Sequence, residues 1–325
     1  LLADAAGTTS LSEIIARGDR IQDHPHYAAM LLLIALGAFS KSALVPFHFW
    51  LPAAMQAPTP VSAYLHSSTM VKAGVFLLAR LSPALGGSEL WFVVLGAVGA
   101  VTMLTGAILA LGQDDLKRLL AYSTISVLGL LTMLLGLGTP IAARAFAVTL
   151  LAHALYKGTL FLVAGNLEHG TGTRSVAALH GLRRAMPWTA AAALAAGASM
   201  AGGPPLFGFL AKETAYEAAL EAPRAAVLFG SATVLSAVLL VFAAARVAFQ
   251  PFVSQGRDET PPVDANDPAL GMRIGPLLLA GLGLAAGLLV GPAERVLIAP
   301  AAGAILQQGI PTGLALWHGF TPILA

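Results

Sequence analysis

Apolar runs of about twenty residues recur along the chain, separated by short polar or proline-rich links. They fall at about 27–50, 60–82 and 90–112, then up to 138, 141–166, 187–220, 225–249 and 272–291. A run of this length matches the hydrocarbon thickness of a bilayer, so each predicts a membrane-crossing helix. Polar stretches lie between them at 113–118, 167–186 and 250–271, the last with four acidic residues and several prolines. Ahead of the first run, Thr9 to Arg17 reads as a short surface helix capped by Thr9 or Ser10, with Glu13 in its first turn. His24 and His26 belong to the connection that follows, as solvated loop residues. The tail from Pro292 is ambiguous, with a further span beginning near Ile310 as one reading.

Two runs contain helix breakers. Pro46 follows Lys41 within the first, and Phe47, His48, Phe49 and Trp50 then form an aromatic, interface-like end. Gly202, Gly203, Pro204 and Pro205 divide the run at 187–220. Both are expected to be discontinuous helices, with Lys41 and Lys212 close to the breaks; such pairs mark the transport path of many transporters. The run at 60–82 carries no such breaker and reads as one helix. Arginine and lysine counts in and beside the links weigh eight against six, which leans the links at 113–118, 167–186 and 250–271 toward the cytoplasm.

Composition supports a bilayer environment. The 325 residues are 57% hydrophobic and 10% charged, against about 25% charged in soluble domains. A net charge of +2 gives no footprint for nucleic acid, and the absence of cysteine excludes disulfides and thiolate metal sites. There is no dinucleotide fingerprint and no phosphate-binding loop, and no cofactor is expected. The chain opens at Leu1 in mid-sequence and is expected to be a piece of a longer polypeptide.

The charged residues divide by type. The five lysines, Lys41, Lys72, Lys117, Lys157 and Lys212, lie in or at the end of apolar runs, whereas the thirteen arginines sit mainly in links. Arginine cannot release its proton; a lysine brought out of water and near like charges can. His66 and His153 add groups that titrate near neutrality. His153 and Lys157 are four apart and share a helical face. Lys41, Lys157 and Lys212 are expected to be buried. The set Lys41, His66, Lys117, His153, Lys157 and Lys212 is thus a candidate proton-transfer path, with Lys72 and Glu213 as modulators. The competing readings are structural: ion-pair partners for Lys41 and Lys212, packing for His66, snorkelling for Lys117, and a reach toward a neighbouring helix for Lys72.

Several strings carry a family resemblance. Lys41-Ser-Ala-Leu-Val-Pro-Phe-His-Phe-Trp-Leu-Pro and Ala57-Pro-Thr-Pro-Val-Ser-Ala-Tyr-Leu-His-Ser-Ser-Thr-Met-Val-Lys-Ala-Gly are two. Asp115-Leu-Lys-Arg-Leu-Leu-Ala-Tyr-Ser-Thr-Ile-Ser, His153-Ala-Leu-Tyr-Lys157 and Pro204-Pro-Leu-Phe-Gly-Phe-Leu-Ala-Lys-Glu are three more. Over about residues 30–222 the chain resembles the antiporter-like subunits shared by respiratory complex I and Mrp cation/proton antiporters. The Met-Val-Lys-Ala-Gly and Phe-Leu-Ala-Lys-Glu wording and the Gly170-Thr-Gly-Thr-Arg loop look most like the large A subunit of Mrp antiporters.

The resemblance implies an all-α polytopic membrane protein of inverted five-helix repeats, each with a broken helix. On that pattern residues 1–26 are a surface segment and 27–82 the end of the first repeat. Residues 90–249 form the second repeat, broken at 202–205, and 250–325 add a polar loop and further helices. Lys41 matches the family's first key lysine and Lys212 the end of its hydrophilic axis, with His66, Lys117, His153 and Lys157 between them. The family also implies a glutamate, on a helix preceding Lys41, that pairs with it; nothing before Lys41 here is that residue.

The function expected is proton translocation within a multisubunit Na⁺/H⁺ antiporter, beside other membrane subunits, in a prokaryotic cell membrane. It is a secondary transporter's role, not an enzyme's. A redox-driven pump subunit of complex I-like or hydrogenase-like type, and a non-transporting membrane scaffold, are the alternatives.

Overall fold

Why the chain folds around two central helices follows from where its small and apolar residues fall. The computed structural model describes residues 1–254 and 265–316. Three short helices open it: α1 (Leu2–Ala6), α2 (Leu11–Ala16) and α3 (Gly18–Gln22). Ser10 is the N-cap residue of α2 and Glu13 lies in its first turn, as the sequence predicts. The first span follows as α4 (Tyr27–Lys41), a break, a 3₁₀ turn at Phe47–Phe49, and α5 (Trp50–Ala53).

The span at 60–82 is not one helix. It divides into α6 (Thr59–Ser67), a 3₁₀ turn at Met70–Lys72 and α7 (Ala73–Leu85). The break carries neither proline nor glycine. Its polar groups are met locally: Thr69 Oγ1 donates to the Tyr64 carbonyl at 2.9 Å, and the Lys72 ammonium donates to the carbonyl of Ser67. In a membrane such freed carbonyls must find donors within the protein, and here side chains of the segment itself supply them.

Next come α8 (Glu89–Leu111), α9 (Leu116–Leu137) and α10 (Pro140–Thr171). With its 32 residues, α10 runs past the expected end at 166, so Glu168 and His169 stand on its last turn and not in a loop. The broken helix follows as α11 (Pro187–Ala201) and α12 (Phe207–Leu220), separated where Gly202 to Pro205 predict. Then α13 (Ala226–Ala244) passes through a π turn at Ala245–Phe249 into α14 (Gln250–Val253). After the link, α15 (Leu270–Leu288) leads to α16 (Val290–Ala293), a second π turn at Glu294–Ile298, and α17 (Ala299–Leu306).

The ambiguous tail is therefore helical as far as Leu306. The span expected near Ile310 has no helix over 310–316, and its remainder lies outside the described residues, as does the middle of the polar link at 250–271. Among the described residues, five helices are long and apolar enough to cross a membrane by length and composition: α8, α9, α10, the α13–α14 unit and α15. No strand forms among the described residues; a lone bridge joins Asp115 to Ser175.

The core centres on α9 and α10. Helix α9 is buried along nearly its whole length, with α8, α10, α12 and α13 packed around it. Glycines let α8 and α9 meet backbone to backbone: a methyl group at Gly99 would stand 2.4 Å from the Met133 nitrogen, and one at Gly129 2.3 Å from that of Met103. Small residues at such contacts permit the close approach that drives helix association in lipid. Trp91 of α8 adds a buried indole bond to the Leu135 carbonyl at 2.9 Å.

Links gather at one end. Leu116 donates to the Arg174 carbonyl at 3.0 Å, and Val176 to that of Asp114 at 2.7 Å. Gly181 and Leu182 donate to Ser254 and Pro251. Asp267 caps α11 from a distance, accepting from Trp188 N at 2.9 Å and Thr189 N at 3.1 Å. The three links read as one face are thus on one face. Arg224 with Glu89, and Arg144 with Glu294, pair at the other end.

Candidate proton-transfer site

Five ionisable side chains meet inside the bundle. His66 comes from α6, Lys72 from the turn before α7, Lys117 from α9, and His153 and Lys157 from α10. All are buried, Lys117 at 1% and His153 and Lys157 at 0% exposure. Lys72 and Lys157 lie within electrostatic reach of His153, and Lys157 and Lys117 within reach of His66. The i,i+4 spacing sets His153 and Lys157 on one face of α10, and the break in the 60–82 span brings His66 and Lys72 to it.

Each lysine is held by neutral oxygen. Lys157 Nζ donates to Ser123 Oγ on α9 at 2.6 Å, and Lys117 Nζ to the Ala57 carbonyl at 2.6 Å. Lys72 reaches the Leu150 carbonyl at 3.3 Å besides that of Ser67. These bonds accept a charged ammonium without fixing it there by a carboxylate. Both ring nitrogens of His153 and Nδ1 of His66 are buried with no hydrogen-bond partner among the described residues. The His66 ring lies against Phe161 at 4.9 Å, and His153 meets Tyr156 edge-on at 5.5 Å. Apart from Lys117, which Glu168 and Asp115 approach from the link face, no acidic group of the described residues stands among the charges felt by this cluster.

Lys212 stands apart, half-buried on α12. Its ammonium turns back across the break to the Ala201 carbonyl at 2.8 Å, the last residue of α11. Gly202 makes this fold-back possible: it has φ 86°, and a methyl group there would stand 2.7 Å from Lys212 Cδ. A cavity of about 50 Å³ lies between Lys212 and α10, lined by Thr149, Tyr156, Ser199, Tyr216, Thr233 and Ser236 among others. It has room for a water molecule. Tyr156 borders this cavity, as Lys212 does, and its ring centroid lies 5.8 Å from Lys157 Nζ.

Lys41 departs from expectation. It ends α4 exposed, on a stripe with Leu32, Leu33, Leu36 and Ser40 that faces outward from the described helices. The break after it is satisfied without the lysine. Val45 N donates to Thr102 Oγ1 at 3.0 Å, and Trp50 Nε1 to the Ser40 carbonyl at 3.1 Å. Proximity to the break placed Lys41 along the chain; which face of α4 would be covered depends on partners that the run of apolar residues does not name. Glu213 follows Lys212 on α12, half-buried.

Lys117, the second residue of α9, is 1% exposed and turns its ammonium to the Ala57 carbonyl. Sequence reasoning passed over Ser123, Thr149 and Tyr156 as site residues. The signal for Tyr156 was present, three residues after His153 and adjacent to Lys157, but a tyrosine in an apolar helix reads equally as packing.

A family model described as NADH:quinone oxidoreductase/Mrp antiporter, TM, matches residues 1–246. The A/B subunit of a probable K(+)/H(+) antiporter from Rhizobium meliloti is 44% identical over 328 residues, spanning 98% of this chain and 32% of that protein. The A subunit of a Na(+)/H(+) antiporter from Alkalihalophilus pseudofirmus is 40% identical over 348 residues, spanning 98% of this chain and 43% of that protein. The chain thus spans less than half the length of these relatives. In the solved structure of the Mrp complex from Dietzia sp. DQ12-45-1b, one chain superposes with a TM-score of 0.88 at 42% identity, over 99% of this chain and 35% of that one.

Proposed function

The chain belongs to the NADH:quinone oxidoreductase/Mrp antiporter transmembrane family, and from that premise we propose that it carries protons along a buried lysine–histidine axis. It does so inside a multisubunit antiporter that exchanges Na⁺ for H⁺ across a prokaryotic cell membrane, with other membrane subunits as partners. One observation carries the reading: Lys72, Lys117, Lys157, His66 and His153 lie buried in the bundle and form a chain of electrostatic neighbours, Lys117 to His66, His66 to Lys157 and His153, and His153 and Lys157 to Lys72.

Like charges crowded into a poorly polarisable interior cannot all be protonated together. Their protons are therefore shared, and the group titrates as a unit. A proton arriving at one member lowers the occupancy of the next, which moves charge along the row. The neutral oxygens of Ser123, Ala57, Ser67 and Leu150 stabilise an ammonium wherever the proton rests. His153 accepts through one ring nitrogen and donates through the other. Tyr156 and the cavity beside it extend the row to Lys212. Lys41 stands at the far end of the chain's polar set, outside this row.

The test uses the intact parent complex in sealed vesicles holding a proton gradient. Na⁺ addition collapses the gradient in the wild type and leaves it standing in Lys157→Ala of equal abundance. Retained exchange in Lys157→Ala contradicts the axis. The relatives at 44% and 40% identity are named for K(+) and Na(+), so the same vesicles are challenged with both ions. The family description also covers NADH:quinone oxidoreductases. Pumping only when electron donor and acceptor are supplied, with no response to either ion, favours that second reading.

A further inference from the structure

We propose that the face carrying the gathered links is the mouth of the proton path, and that Glu168 is the carboxylate that collects protons there for Lys117. This rests on the reading of Lys117 as part of the axis. Glu168 stands on the last turn of α10, eleven residues (168 − 157) beyond Lys157. At 1.5 Å per residue that is about 16 Å along the helix, close to the half-thickness of roughly 15 Å of a bilayer core. Lys157 lies near the middle of the 32-residue α10 and Glu168 on its last turn, a spacing that fits a deep lysine and a carboxylate at the aqueous boundary.

Two cavities open beside Glu168. One of about 470 Å³ is bordered by Thr59, Asn166, His169 and Met272; another of about 390 Å³ by Asp114, Asp115, Arg174 and Ser175. Among their lining residues, Glu168 alone borders both. Its carboxylate is lightly held. Oε2 accepts from Thr59 Oγ1 at 3.1 Å, and Oε1 lies 3.6 Å from Arg174 NH1. Arg174 is shared with Asp115, whose Oδ2 is nearer at 3.0 Å. A half-exposed pair at this distance is weak and leaves the carboxylate open to water.

The inward connection is short. Thr59, which holds Glu168, begins α6; Ala57, two residues earlier, holds the Lys117 ammonium. Glu168 is also within electrostatic reach of Lys117 directly, together with Arg174 and Asp115. His66, next in the axis, lies on α6 two turns beyond Thr59 and within reach of Lys117. A proton taken from water by the carboxylate passes to a neutral Lys117 amine; the carboxylate is left ionised and Lys117 becomes an ammonium, so charge and proton balance. The charged and titratable groups facing Glu168 are Lys117, Arg174, Asp115 and Asp114, with His169 on its own turn.

A latch that merely joins the 57–59 link to the 172–175 link would use the same contacts. Three variants of the intact complex separate the two roles, with proton uptake followed in vesicles from acid to alkaline pH on the Glu168 side. Glu168→Gln keeps an oxygen for Thr59 but cannot carry a proton. Its uptake is expected to fall about tenfold at alkaline pH, where a negative mouth raises proton capture most, and little at acid pH. Glu168→Asp keeps the wild-type pH profile, and Arg174→Gln, which removes the ion pair but leaves the carboxylate and makes the mouth more negative, loses no uptake at alkaline pH. Wild-type uptake by Glu168→Gln at every pH overturns the inference. Equal loss in Glu168→Gln and Arg174→Gln at every pH also overturns it in favour of the latch, and a changed Na⁺ dependence with an unchanged pH profile in favour of a cation site. Lys157→Ala run alongside tests the axis itself: its failure to lose uptake counts against the proposed function whatever Glu168 does.

Discussion

Lys157 Nζ and Ser123 Oγ meet at 2.6 Å across the contact of α10 with α9. A buried ammonium here rests on a hydroxyl, which stabilises it without the permanence of a carboxylate. Hydrogen bonds to charged groups contribute roughly 1.5–3 kcal/mol. Ser123→Ala is therefore expected to slow vesicle exchange by about tenfold or more at constant complex abundance. Ser123→Thr, which keeps the hydroxyl, restores it. Unchanged exchange in Ser123→Ala counts against Lys157 as a carrier poised by this bond.

Lys72 has a second task in closing the break between α6 and α7. Its ammonium meets the carbonyls of Ser67 and Leu150. Lys72→Met leaves both without that donor, at about 1–3 kcal/mol for each buried group. The expectation is lowered thermal stability of the purified complex as well as lost exchange. Exchange lost with stability unchanged assigns Lys72 to transport alone.

Gly202 and Gly37 form a contrasting pair. At Gly202 the φ of 86° and the contact with Lys212 Cδ both oppose a side chain, whereas a methyl group at Gly37 meets nothing within 4 Å. The left-handed backbone alone costs a residue with a Cβ roughly 1–2 kcal/mol. Gly202→Ala is expected to displace Lys212 and abolish exchange. Gly37→Ala adds a methyl group that meets nothing among the described residues, so its effect on exchange is expected to be much smaller than that of Gly202→Ala. Parallel behaviour of the two variants in exchange assays contradicts this role for the break.

On the link face, the Ser175 hydroxyl bonded to Asp114 at 2.6 Å holds that carboxyl below its ordinary range, helped by the Ala177 amide. A depressed carboxylate stabilises the fold above its unfolded pKa, and that stabilisation is lost as pH falls through the folded value. The 172–178 segment is therefore expected to become sensitive to an acid-active protease as pH drops below the carboxylate range. Ser175→Ala moves the onset to higher pH. An onset identical in wild type and Ser175→Ala contradicts a role for this bond.

How much of this was readable from the sequence varies by residue. The break at Gly202–Pro205 was legible because glycine and proline state their backbone demands locally. The break after Ser67 was not, because no proline or glycine marks it; it is closed by Thr69 and Lys72 folding back onto the carbonyls of Tyr64 and Ser67, with Lys72 also reaching Leu150 on α10. His153 and Lys157 were legible from their four-residue spacing on an apolar helix. Lys41 was placed near the right break but expected inside, since apolar neighbours reveal membrane depth and not which face is covered. Glu168 was assigned to a loop because its polar neighbours, Glu168-His-Gly-Thr-Gly, look like one; the extra turn of α10 is closed by Gly172 in the left-handed region, its N–H on the Glu168 carbonyl, and by the Thr171 hydroxyl on the Leu167 carbonyl.

Above all, protons are held to pass through this chain by way of Lys157 toward Lys212. The decisive experiment follows internal pH in sealed vesicles containing the intact complex, with a proton gradient imposed, Na⁺ added and no redox substrate present. Rapid collapse of the gradient is expected in the wild type, and none in Lys157→Ala or Lys212→Ala at matched abundance. Collapse at the wild-type rate in both variants contradicts passage along this row.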